Sequence, residues 1–138
     1  MDSGTQFTLA MSAPPDDVDT VHALLQEVWS NSPAVSATDR VCFETALIEL
    51  AGNVIQHADA GTGVSCTLTV EVFGDRIEAR LSDTGEPGQF HLVPGGMPHE
   101  LAESGRGIPL IEALVDELHY DRSGSLNLWR ISRRLGTA

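Results

Sequence analysis

An α+β fold is predicted, a two-layer sandwich with the helices on one face of a mainly antiparallel sheet. Three features of the sequence predict it. Segment 64–81 alternates strictly between apolar and polar residues about a short turn at Gly74 and Asp75, the mark of a hairpin with one buried face. Two segments of helical period precede it, and a third helical segment follows a long loop. Two further alternating segments close the chain, so the order reads β-α-α-β-β-loop-α-β-β.

The opening strand is "QFTLAMSA", with Phe7, Leu9 and Met11 on one side. "APPDDVDTVHALLQEVWSNS" then reads as a helix. Pro15, Asp16 and Asp17 suit its first turn, and Val18, Val21, Leu25 and Val28 form its apolar stripe. Ser36 is an N-cap for a second helix that runs to about His57. In the hairpin, Val64, Cys66, Leu68, Val70 and Val72 face one way, and Ile77, Ala79 and Leu81 return on the second strand. Residues 83–103 are rich in Gly and Pro without a period, and a loop of that length in a compact domain is read as a functional lid or a disordered segment. "GIPLIEALVDEL" is the third helix, with Ile108, Ile111, Val115 and Leu118 on one face. The last two strands, near "LHYDR" and "SLNLWRISR", flank a turn placed at Ser123 and Gly124. With no repeat and no linker, one domain is expected over 1–138.

Composition narrows the function. A net charge of −12 and a pI near 4.5 leave no cation cluster for a nucleic-acid backbone, so direct nucleic-acid binding is not expected. The chain has no lysine, and its eight cationic side chains are all arginine. A lysine-dependent phosphate loop and Schiff-base chemistry are therefore excluded. Cys42 and Cys66 lie in apolar segments and are read as buried, reduced thiols, which fits a cytoplasmic address. No apolar run reaches the length of a membrane span, and no membrane association is expected.

The second helix, "ETALIELAGNVIQHA", raises a question. At 100° per residue, Phe43, Leu47, Leu50 and Val54 share one face, and Val41, Ile48 and Ile55 form a second. Between them run Glu49, Asn53 and Gln56. Packing on both apolar faces would set this polar strip at the border of a cavity, where a carboxylate needs a cation or a ligand. The alternative is a solvated strip, and the helix alone leaves both open. Two other segments bear on the choice. "LSDTGEPG" puts Asp83 at a strand end before Gly85 and Gly88. "ESGRGIPLIEAL" sets Gly105, Arg106 and Gly107 at a helix start, where free N–H groups and the helix dipole attract anions.

These segments, in this order, resemble the N, G1 and G2 boxes of the GHKL ATPase superfamily, whose domain has the Bergerat ATP-binding fold. "ELAGNVIQHA" is similar to the N box, "DTGEPG" to the G1 box and "GRGIPLI" to the G2 box. Most of the chain resembles the bacterial anti-sigma-factor serine-protein kinases of the RsbW and SpoIIAB type. The resemblance implies ATP and Mg²⁺ as cofactors, with Asn53 as the metal ligand. It implies Glu49 as the catalytic carboxylate that orients or deprotonates the attacking hydroxyl. Asp83 would accept a hydrogen bond from the adenine amino group, and Gly85 would let the backbone close on the base. Gly105 and Gly107 would hold phosphate oxygens, Arg106 is the nearby cation, and Ser125 falls where the family has a hydroxyl near adenine. The implied partners are a sigma factor and a STAS-type anti-anti-sigma protein carrying the substrate serine, with a homodimer as the assembly.

Some residues depart from the family pattern. Gly52 stands in mid-helix, where glycine costs roughly 1 kcal/mol against alanine, and close packing is expected to explain it. Pro109 follows the G2 glycines directly. A second class of function is therefore weighed, an ATP-binding partner-switching module that transfers no phosphate. A detached histidine-kinase catalytic half is disfavoured, because no dimerisation helix with a phospho-accepting histidine is present. His57, Asp59, His91 and His99 have no metal-site spacing. Trp29 and Trp129 are read as packing residues, with a place at a partner interface as the alternative for either.

Overall fold

A computed structural model describes residues 4–13, 16–58, 63–85 and 107–136. The elements are β1 (Thr5–Ala13), α1 (Val18–Ser30), α2 (Ala37–Ala58), β2 (Val64–Val72), β3 (Arg76–Asp83), α3 (Gly107–Leu114), β4 (Glu117–Ser123) and β5 (Leu126–Arg134). The strands form one antiparallel sheet in the order β1-β2-β3-β5-β4. After β3 the chain passes through α3, lays β4 at the far edge and returns along β5 between β4 and β3.

The hairpin β2–β3 forms as its alternation predicts, with Cys66, Leu68 and Val70 buried and Ser65 and Thr67 exposed. Its inward residues meet Phe43, Leu47, Leu50 and Val54 of α2 and Val21, Leu25 and Val28 of α1 in one apolar core. Helix α1 begins later than the sequence predicts. Asp17 is its N-cap, accepting from the Asp19 N–H at 2.9 Å, while Asp16 accepts from the Ser12 N–H at 3.0 Å. The acids thus act ahead of the helix, because a side chain that accepts from the next turn holds its own backbone extended. Ser36 caps α2 as expected, accepting from the Asp39 N–H at 3.1 Å. Glu44 fastens α2 to α1: it accepts from Trp29 Nε1 at 2.9 Å and meets His22 Nδ1 at 3.2 Å.

Three further expectations change. The last turn consists of Gly124 and Ser125, because Ser123 already pairs with Leu126. Gly124 has φ +60° and Ser125 does not share it, the pattern of a two-residue hairpin with glycine first. Val41 is 65% exposed, so the second apolar face of α2 is covered only along Ile48 and Ile55, which pack on the core. Cys42 is half-buried, whereas Cys66 is buried with its thiol pushed up to about 11 by burial and by the nearby Asp83 carboxylate.

Candidate functional site

Connectivity brings α2's last turns, the start of β2 and the end of β3 to the same end of the sandwich. Ala58 lies only a few residues before β2. There the Ser65 N–H donates to Thr84 Oγ1, and the Thr84 N–H donates to the Ser65 carbonyl, each at 3.1 Å. Along α2 the polar strip is deepest at its middle: Glu49 is half-buried, Asn53 is 6% exposed and Gln56 is exposed. Asn53 Nδ2 is buried with no hydrogen-bond partner among the described residues. Leaving such a donor unmet costs about 1–3 kcal/mol, so the position is poised for something that completes it.

Asp83 lies at the last position of β3 and is 1% exposed. Its Oδ1 accepts from the Gly85 N–H at 2.9 Å and from Asn127 Nδ2 at 2.8 Å. Its Oδ2 accepts from Trp129 Nε1 at 3.2 Å. The Gly85 bond closes an Asx turn, which explains an acid just before "TG". Asn127 and Trp129 reach Asp83 because Asp83 pairs with Asn127 across β3–β5, and the inward side chains of β5 alternate as Asn127, Trp129 and Ile131. Trp129 therefore packs against Tyr120, at 4.5 Å between rings, and also donates to Asp83.

Helix α3 lies along α2. Its direction follows from Arg133, whose Nη1 donates to the Leu114 carbonyl at 2.7 Å while its Nε donates to Asp39 Oδ1 at 3.0 Å. The C-terminal end of α3 thus stands beside the N-terminal turn of α2. The two helices run antiparallel, and Gly107 at the start of α3 faces back toward the Asn53 end. Gly105, Arg106 and the expected lid over residues 86–103 lie outside the described residues. Ser125 is exposed in the β4–β5 turn; the side chain from this region that reaches Asp83 is Asn127. Asn127 was legible as a buried polar residue within an apolar alternation, but its partner depends on the β3–β5 register.

Residues 11–132 match the model of the histidine kinase-like ATPase domain. The chain belongs to that family. Among its relatives is the serine-protein kinase RsbW of Bacillus licheniformis, 31% identical over 118 residues that cover 78% of this chain and 72% of that protein. Among solved structures, the RsbU and RsbW domains of Rv1364c from Mycobacterium tuberculosis share the fold, with a TM-score of 0.68 at 19% identity. That match covers 95% of this chain, which spans about a third (32%) of that solved chain. A histidine kinase-like ATPase domain implies ATP as its ligand. Asn53 and Asp83 suit that ligand: one carries an unmet amide, the other a carboxylate with capacity to spare. The carboxylate has about four acceptor positions, and described residues fill three of them.

Proposed function

We propose that this protein is an ATP-dependent serine kinase of bacterial transcription control. It binds a sigma factor, phosphorylates a serine of a STAS-type anti-anti-sigma protein, and works as a cytoplasmic homodimer. The likeness to a protein named serine-protein kinase RsbW supports this reading. The observation that carries it is Asn53, buried with an unmet amide on the helix turn after the half-buried Glu49.

A half-turn of the Asn53 amide exchanges its oxygen and nitrogen, so the same position can offer a ligand to Mg²⁺. Mg²⁺ bound with the triphosphate offsets phosphate charge. Asp83 takes the adenine amino group, while Gly105, Arg106 and Gly107 meet the phosphates. Glu49 accepts the proton of the partner's serine hydroxyl as the γ-phosphoryl group passes to that oxygen and ADP leaves.

Because Asn53 and Glu49 are about 6 Å apart along the helix and have different tasks, they should fail differently. Asn53→Ala is expected to weaken Mg²⁺-dependent ATP binding. Glu49→Ala should leave binding nearly intact but slow transfer to the partner serine by about 10²–10⁴-fold. Calorimetry and a labelled-ATP transfer assay with an anti-anti-sigma protein from the same organism measure both. Equal loss of ATP affinity in the two variants would make Glu49 structural. Wild-type protein that binds ATP but phosphorylates none of its interacting partners would instead be an ATP-dependent partner-switching module.

A further inference from the structure

Asp83 is held by a second layer of residues that need not touch a ligand. Asn127 Oδ1 accepts from Tyr120 Oη and from Arg122 Nη1, the latter at 3.0 Å. Its Nδ2 donates to Asp83 Oδ1 at 2.8 Å and to the Gly85 carbonyl at 3.3 Å. Flipping this amide would set an NH₂ group against two donors and an oxygen against a carboxylate, so its orientation is locked. Arg122 Nη1 also donates to the Gly85 carbonyl at 3.0 Å, and its Nε donates to the Gly124 carbonyl at 3.2 Å. One guanidinium thereby joins the β4–β5 turn, Asn127 and the turn that follows Asp83. Arg122, Asn127 and Asp83 lie in register across three strands on the helix-facing side of the sheet.

We propose that Asn127 and Arg122 are positioning residues for nucleobase recognition, holding Asp83 so that one acceptor position on Oδ2 faces a base amino group. The proposal rests on the reading that Asp83 binds adenine. Oδ1 carries two donors, from Gly85 and Asn127, and is filled. Oδ2 carries only the Trp129 N–H among the described residues, which leaves it one position. A carboxylate free to rotate would spread its acceptors over several directions and discriminate poorly between an amino group and a hydrogen. Held on one oxygen by Asn127, it accepts along a single direction. Only a side chain that donates and accepts at once can link the carboxylate to Arg122 and Tyr120, which accounts for an asparagine at position 127.

The test compares Mg²⁺–ATP with the Mg²⁺ complex of purine riboside triphosphate, which lacks the amino group. Affinities are measured by calorimetry for wild type, Asn127→Ala and Arg122→Ala, with a thermal melt of each. Arg122 is only half-buried, so its variant provides a folded case if Asn127→Ala does not fold. Wild type is expected to prefer ATP by roughly 10- to 100-fold, the span of a hydrogen bond to a charged group. Both variants should reduce that ratio to within about 3-fold, because the ratio isolates the contact with the amino group. A merely structural role would weaken both ligands alike and leave the ratio unchanged, which overturns the proposal. Wild type that binds both nucleotides equally removes the base contact at Asp83 itself, and wild type that binds neither rejects the nucleotide-binding reading beneath it.

Discussion

Asp39 and Asp83 are both buried carboxylates, placed at opposite ends of the sheet. Arg133, the partner of Asp39, pairs with Ile77 near the start of β3, whereas Asp83 ends that strand. Asp39 holds a cation, where Asp83 holds only neutral donors among the described residues: it takes Arg133 Nε at 3.0 Å, Ser36 Oγ at 3.1 Å and the Gly136 N–H at 2.9 Å. Burial pushes its carboxyl up, but the Gly136 amide, the Ser36 hydroxyl and the Arg133 guanidinium outweigh that and hold it below the usual carboxylate range. A depressed folded value means that its contribution is present above the unfolded value of about 3.9 and is lost as pH falls through the folded one. Asp39→Asn should cost about 3 kcal/mol at pH 7, since it strands a partly buried guanidinium. Denaturation curves of wild type and Asp39→Asn should converge as pH falls from about 5 toward 2. A gap that stays constant with pH would mean that the carboxylate charge is not its source.

At the level of the element, α2 holds both the expected kinase residues and a glycine that packing does not require. A Cβ added at Gly52 would lie 3.6 Å from Val18 Cγ1, ordinary van der Waals contact. The close approach expected from the sequence is therefore absent, and the glycine weakens the helix without a steric reason on the described side. Gly52→Ala should raise unfolding stability by about 1 kcal/mol with an unchanged denaturant slope. Gly124 is the opposite case. Its φ of +60° makes any L side chain strained there although nothing lies within 4 Å of an added Cβ. Backbone conformation decides at Gly124, and side-chain space decides at Gly52.

For the molecule as a whole, Arg133 joins three elements by bonding the end of α3 and the first turn of α2 from β5. Helix α3 is short, eight residues, and too short to persist alone in water. Its buried anchor is Ile111, with Ile108 and Leu114 partly buried against the core. Arg133→Ala should therefore loosen α3 before the sheet. Hydrogen exchange is expected to speed up in the amides of α3 while those of β2 and β3 stay protected. Uniform acceleration over both would show that Arg133 supports the whole fold rather than this junction.

Periodicity by itself determined the strands and most of the helical faces, because alternation and the 3.6-residue repeat record which side of an element leaves water; the third helix is the exception, ending at Leu114, so that Val115 lies beyond it and Leu118 belongs to β4. Phe43, Leu47, Leu50 and Val54 are buried as that repeat requires. The motif residues Glu49, Asn53 and Asp83 were legible too, as polar groups where an apolar or turn residue would serve. Tertiary structure alone decided what surrounds them. Nothing local tells that Asn127 pairs with Asp83, that Arg122 reaches the Gly85 carbonyl, or that Arg133 sets the direction of α3. Each of those contacts joins residues far apart in the chain, and strand register and helix packing bring them together. A pattern along one chain carries the burial of each residue; it does not carry the identity of the neighbour that shares the burial.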